Sequence, residues 1–132
     1  MLTLMNRKLR LLIVDDDKDL LDPVIEVCGR FDFEVVGATS GQEALDMLKT
    51  NAFDVVMTDI RMQPMGGFAL MDNVRAAFAS MPFILWTGFW DFPEEQRAAT
   101  YENVERLEKP FTFRELESTL KRVRVKIHSK GA

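Results

Sequence analysis

Four short, continuous apolar runs alternate with helix-type patterns, and this alternation constrains the fold more than any other feature of the chain. "LRLLIV" (9–14), "FEVVGA" (33–38), "FDVVMT" (53–58) and "PFILWT" (82–87) are rich in β-branched or aromatic residues. Asp, Gly, Pro or Ser bound them, as expected of strands covered on both faces. A fifth run, "NVERLE" (103–108), is more polar and reads as an edge strand. Helix starts lie between the runs: Ser40 with Glu43, Asp91 with Glu94, and Thr112 with Glu115 have the spacing of reciprocal capping boxes. Each such cap is worth about 1 kcal/mol.

Two helical stripes are legible. Phe113, Leu116, Leu120, Val123 and Ile127 share one face of the last helix; Phe68, Met71, Val74 and Phe78 share one face of another. Pro23, inside "DKDLLDPVIEVCGRF", is expected to kink the first helix or delay its regular start. The result is a (βα)₅ pattern of the α/β class: a parallel five-stranded sheet with right-handed crossovers and helices on both faces, a three-layer sandwich. Ligands in such sheets bind at the carboxyl ends of the strands, where the strand order reverses.

The 132 residues fit one domain, residues 1–132, with a core of about 8–127. Apolar residues make up 47% and charged residues 29%, the balance of a soluble domain with a real core. A single cysteine, Cys28, excludes an internal disulfide and fits a reducing compartment. No apolar run is long enough to span a membrane, and we expect a cytoplasmic protein. Net charge is −4, unevenly spread. The last twelve residues, "KRVRVKIHSKGA" (121–132), carry five Lys or Arg and no acid, so the first 120 sum to −9. A body this acidic is a poor nucleic-acid binder. The basic end suits the negative pole of a last helix, and equally the start of a linker to an output domain.

One feature of the third strand has no structural motive. "FDVVMTDIRMQPMGG" runs from a buried strand onto a carboxylate, Asp59, and a charge there costs several kcal/mol unless something compensates it. The same sheet edge should receive Asp15 and Asp16 from the first strand, Thr87 and Gly88 from the fourth, and Lys109 after the fifth. Three clustered carboxylates repel one another. One lysine and one divalent cation bring their charge to zero. Mg²⁺ (or Mn²⁺) suits all-oxygen ligands, retains water and leaves room for a phosphate oxygen. A carboxylate so placed can attack phosphorus, with Thr87, Lys109 and backbone N–H groups receiving the phosphoryl oxygens. Gly88 leaves that space clear of side chain.

Asp15-Asp16, Asp59, Thr87-Gly88 and Lys109-Pro110-Phe111 together resemble the receiver domain of two-component response regulators, over essentially the whole chain. The resemblance implies a flavodoxin-like sheet of order 2-1-3-4-5. It implies that Asp59 is the phosphoacceptor, fed by a sensor histidine kinase or a histidine phosphotransfer protein. Asp16, Asp59 and the backbone carbonyl of Arg61 would ligate Mg²⁺, with Asp15 acting largely through water. Thr87 and Lys109 would report the phosphoryl group to a face made by the fourth helix, fifth strand and fifth helix, read by a downstream output protein or domain. Arg61 and Phe89, two places after the acceptor and the threonine, fall where the family tunes phosphoryl access and lifetime. A phosphorylation-dependent homodimer stays open.

Two positions depart from the family pattern. Gln63 stands where proline is usual, with Pro64 one place later; the length to Gly67 is kept, so an altered loop rather than a lost site is expected. Arg106 stands where many receivers carry a Tyr or Phe that rotates inward as the threonine engages phosphate. A guanidinium does not bury as a ring does. Trp86, Phe89, Trp90 and Phe92 are read as core packing plus a loop lid, with an exposed aromatic contact surface as the alternative. Met62 and Met65 are read as loop packing, though Met also suits an adaptable docking surface. His128, in the basic end, is not read as a relay histidine. Two other functions compete: a degenerate receiver that only binds protein, and a Mg²⁺-dependent phosphohydrolase. The hydrolase would want an acid two places after its nucleophile, where Arg61 stands.

Overall fold

The computed structural model describes residues 7–131. Five strands and five helices alternate: β1 (Leu9–Val14), α1 (Lys18–Gly29), β2 (Phe33–Ala38), α2 (Gly41–Thr50), β3 (Val55–Asp59), α3 (Gly67–Ala77), β4 (Phe83–Thr87), α4 (Phe92–Ala99), β5 (Val104–Glu108) and α5 (Phe113–Gly131). The sheet is parallel throughout, in the order β2-β1-β3-β4-β5. This is the expected flavodoxin-like arrangement. Among the described residues, no helix is long and apolar enough to cross a membrane.

Alternation along each strand divides the core in two. Leu9, Leu11 and Ile13 of β1, with Val55 and Met57 of β3, face Leu21 and Cys28 of α1 and Leu116, Leu120 and Val123 of α5. Leu12 and Val14 point the other way, toward Ala44 and Leu48 of α2, Phe68 and Met71 of α3 and Ala98 of α4. The central strands are buried on both sides, which is why their sequences read as continuous apolar runs. On β5 only Leu107 is buried, as befits an edge strand. β2 is the other edge and, unlike the doubly covered strand its run suggested, buries only Phe33 and Ala38, because no strand lies beyond it.

All three helix caps form. Asp91 and Glu94 make a complete capping box, and Thr112 and Glu115 exchange backbone N–H bonds of 2.9 and 3.1 Å. At α2 the box is displaced by one residue: Ser40 accepts from Glu43, but Glu43 accepts from Thr39.

Of the two effects expected of Pro23, a delayed start does not occur. Helix α1 runs through it from Lys18. The missing N–H leaves the carbonyl of Asp19 without a helical donor, in a turn that lies at an exposed surface. Two aromatic members of the predicted stripes also stay out of the core. Phe113 is 62% exposed in the first turn of α5, and Phe78, which caps α3, is 43% exposed. Both stand at helix ends, beyond the sheet that covers the rest of each stripe.

The basic end is tied back to the body. Arg122 and Lys126 both pair with Glu105 of β5, at 3.0 and 3.4 Å, and Arg124 donates to the carbonyl of Phe31.

Candidate functional site

Asp59 ends β3 at the sheet's carboxyl edge and is compensated from two directions. Lys109 Nζ donates to its Oδ2 at 3.0 Å, and the Arg61 backbone N–H donates to its Oδ1 at 2.9 Å. The same ammonium donates to Asp15 Oδ2, also at 3.0 Å. Asp15 is 1% exposed at the end of β1, and its other oxygen accepts from the Asp17 N–H. One lysine therefore bridges the ends of two adjacent strands. It reaches them from β5 because its own backbone N–H is held by the Thr87 carbonyl at 2.7 Å. Its ammonium also lies 4.1 Å from the centre of the Trp86 ring, a cation–π contact that stabilises the charge in a partly dry setting.

The electrostatics follow from this geometry. Burial pushes the Asp15 carboxyl above its ordinary value; its bonds to Asp17 and Lys109 oppose that and the charge of Asp59 adds to it. Burial alone would lower the Lys109 ammonium, but hydrogen bonds to Asp15 and Asp59 outweigh it and the net shift is upward. A proton is thus held firmly on the lysine between two acids.

Asp16 is exposed at the rim, and one of its oxygens accepts from Gln63 N–H at a long 3.4 Å. Among the described residues, no three Asp, Glu, His or Cys side chains gather as a ready-made metal cage. The donor set nonetheless fits Mg²⁺, which takes one or two carboxylates and keeps several waters. Asp15, Asp16 and Asp59 carry three negative charges against one ammonium, leaving a divalent deficit.

Thr87 is buried, but its hydroxyl turns to its own loop, contacting the Phe89 carbonyl at 3.3 Å and the Phe89 N–H at 3.5 Å. It touches neither Asp59 nor Lys109 through its side chain in this arrangement. Gly88 is exposed, and a Cβ there would meet nothing within 4 Å, so the space beside the threonine is open. Phe89 is 59% exposed beneath the Arg61 guanidinium, 5.7 Å from ring centre to Cζ. The aromatic segment is split: Trp86 is core and Trp90 half-buried, whereas Phe89 and Phe92 stand in solvent. Met62 is buried in the loop, and Met65 packs against the core cluster beside α2 and α3.

Arg106 points to the α4 side of β5 and lies over the Trp90 ring at 5.8 Å. The Trp90 indole N–H in turn donates to the Leu107 carbonyl. The place where many receivers swing an aromatic ring is here occupied by a stacked Arg–Trp pair.

Two residues named from the sequence, Gly67 as the end of the acceptor loop and Glu94 as a helix cap, have a further part in the site that was not foreseen. A Cβ at Gly67 would overlap the Asp59 carbonyl and come 2.7 Å from Ile60 Cα; the glycine lets α3 begin against the acceptor strand, and its fixed spacing from Asp59 was the available signal. The other is Glu94. Besides capping α4, its carboxylate takes both Arg61 Nε, at 3.1 Å, and Arg61 Nη2. Nothing in the local pattern announces a pair 33 residues apart.

The sequence matches the response regulator receiver domain family over residues 11–121. Transcriptional regulatory protein ZraR of Escherichia coli (strain K12) is 28% identical over 119 residues, which cover 90% of this chain and 27% of that protein. Heme response regulator HssR of Staphylococcus saprophyticus is 31% identical over 122 residues, covering 89% and 54%. Among solved structures, the chemotaxis protein CheY4 of Vibrio cholerae aligns with a TM-score of 0.81 at 29% identity, covering 88% of this chain and 98% of that one. The chain spans 27% of the first of these relatives and 54% of the second. With that match across most of its length, the chain belongs to the response regulator receiver domain family.

Proposed function

We propose that this receiver domain accepts a phosphoryl group on Asp59 from a phosphohistidine, on a sensor kinase or a histidine phosphotransfer protein, within a cytoplasmic phosphorelay. The observation that carries the reading is the single ammonium of Lys109 held 3.0 Å from both Asp15 and Asp59. It neutralises the acceptor and leaves a net negative, oxygen-lined mouth suited to a divalent cation.

In the transfer, an Asp59 oxygen attacks phosphorus and the P–N bond to the donor imidazole breaks. The bonding pair stays on the imidazole nitrogen, which takes a proton from solvent. Asp16, Asp59 and the Arg61 carbonyl would hold Mg²⁺ (or Mn²⁺), with Asp15 acting largely through water. Mg²⁺ supplies charge neutralisation between the approaching phosphoryl group and the acids. Lys109, already protonated and anchored, donates to a phosphoryl oxygen as charge builds there. Thr87 contributes once its hydroxyl leaves Phe89 and turns inward, and the open volume at Gly88 permits that turn. The altered state is read on the face formed by α4, β5 and α5 by an output protein or domain.

Incubation with a small phosphodonor and Mg²⁺, followed by intact mass, tests the reading against an Asp59→Asn variant. One added phosphoryl group, dependent on Mg²⁺ and absent from the variant, is expected. A folded protein that never gains mass, even under rapid quench, would leave only a binding role for the acid pocket.

A further inference from the structure

Arg61 joins the acceptor loop to the first turn of α4, and its backbone is bonded to the acceptor itself. Its backbone N–H bonds Asp59 while its guanidinium crosses to Glu94 and comes within 3.7 Å of Asp91. Glu94 is thereby used twice: Oε1 receives the Asp91 N–H at 3.0 Å, closing the α4 capping box, and also receives Arg61 Nη2. Phe89 forms the floor beneath the guanidinium. The usual coupling element at position 106 is unavailable, because Arg106 is stacked on Trp90.

We propose that Arg61 is an exchangeable latch, paired with Glu94 in the unmodified protein and with the phosphoryl group once Asp59 is modified. This inference rests on Asp59 being the acceptor. A guanidinium prefers a bidentate partner of higher charge, and a phosphoryl group carries roughly −2 against −1 for Glu94. When Arg61 turns to the phosphoryl oxygens, Glu94 keeps its capping bond but loses its cross-loop anchor. Asp91, also facing Arg61, loses a counter-charge in the same event. The first turn of α4, a short helix whose one buried residue is Ala98 near its other end, is then free to move. The device replaces a rotating ring with a change of ionic partner, and delivers the signal to the N-terminal end of α4 rather than to β5.

Amide hydrogen exchange over α4, with adduct formation followed by mass on the same samples, separates the possibilities. In the unmodified state, Arg61→Ala and Glu94→Gln should each raise α4 exchange severalfold, with β1 and β3 unchanged. Phosphorylation of the wild-type protein should raise α4 exchange to a similar level, and should produce no further rise in Arg61→Ala. Arg61→Lys should restore only part of the protection, because an ammonium cannot bind in two places as a guanidinium does. Unaltered α4 exchange in both unmodified variants would overturn the latch. An adduct that leaves wild-type α4 unchanged would overturn the exchange of partners alone. Absence of any wild-type adduct, read by mass, would overturn the acceptor reading and the exchange with it.

Discussion

Two carboxylate clusters stand at opposite ends of the same sheet, one balanced in charge and the other short of cations. Before β3, one acid, Asp54, is met by the Arg7 guanidinium, which donates to both its oxygens at 2.8 Å, and by the Arg10 backbone N–H at 2.7 Å. The Arg10 guanidinium pairs with Glu34. After β3, two acids, Asp15 and Asp59, share one lysine, with Asp16 at the rim. Burial acts on Asp54 to raise its carboxyl, yet the bonds from Arg7 and Arg10 prevail and it lies below its ordinary value; Asp15 lies above. A cluster in which each acid has its own cation is a clamp. One short of cations is a site, and the imbalance is the capacity to bind.

Removing the shared cation breaks the second cluster outright. Lys109→Met leaves two acids facing each other at a buried edge and should cost about 3 kcal/mol at neutral pH. Urea unfolding would measure it, and the deficit should shrink as pH falls and the acids protonate. A cost below that of Arg7→Ala would mean the acids at the site are already well solvated.

Removing an acid distinguishes the clusters by sign. Asp59→Asn relieves the repulsion with Asp15 while Lys109 keeps one partner, and should stabilise the fold by about 1 kcal/mol, as substitutions at functional sites often do. Asp54→Asn loses charge-assisted bonds and should destabilise by about 1–2 kcal/mol. Thermal unfolding of the two variants side by side tests this. If both destabilise, the supposed excess of negative charge at the site is compensated by groups other than Lys109.

Acid titration of stability reads the same contrast. For Asp54 the folded carboxyl is depressed, so its contribution is complete above the ordinary 3.8 and is lost as pH falls from there through the folded value. For Asp15 the folded carboxyl is raised, so the folded state holds a proton the unfolded chain has released, and stability declines as pH rises from 3.8 through the folded value. Asp54→Asn should flatten the acid side of the profile, and Asp15→Asn should flatten the decline above 3.8.

Much of this architecture was legible beforehand because the strands are covered on both faces. Burial forces continuous apolar runs, and β1 matches its run residue for residue; β2 does so as well, although it is an edge strand buried only at its two ends. β3 starts two residues later than its run and reaches Asp59 itself. Helix starts were readable from caps, which are local. Positions 113 and 78 were not, since helical spacing identifies a face but not where the sheet stops covering it. At the site, Asp15, Asp59 and Lys109 converge as expected because each is fixed by a strand end. The direction of the Thr87 hydroxyl and the Arg61–Glu94 pair depend on side-chain torsions and long-range charge, to which neither spacing nor composition is sensitive.

Cys28 offers the smallest effect, and one that compares both edges without touching either. It is fully buried between α1 and the sheet, and burial pushes its thiol up to about 12. Only an opening that exposes it permits alkylation at neutral pH. If that opening is global unfolding, the labelling rate follows stability, and 1 kcal/mol changes it roughly fivefold. Asp59→Asn should then slow labelling and Asp54→Asn should speed it, both relative to wild type. Equal rates in all three proteins would mean that α1 opens by itself, with both clusters intact. The two edges would then be independent of the helix between them, and the contrast in charge balance would govern each edge locally rather than the stability of the whole domain.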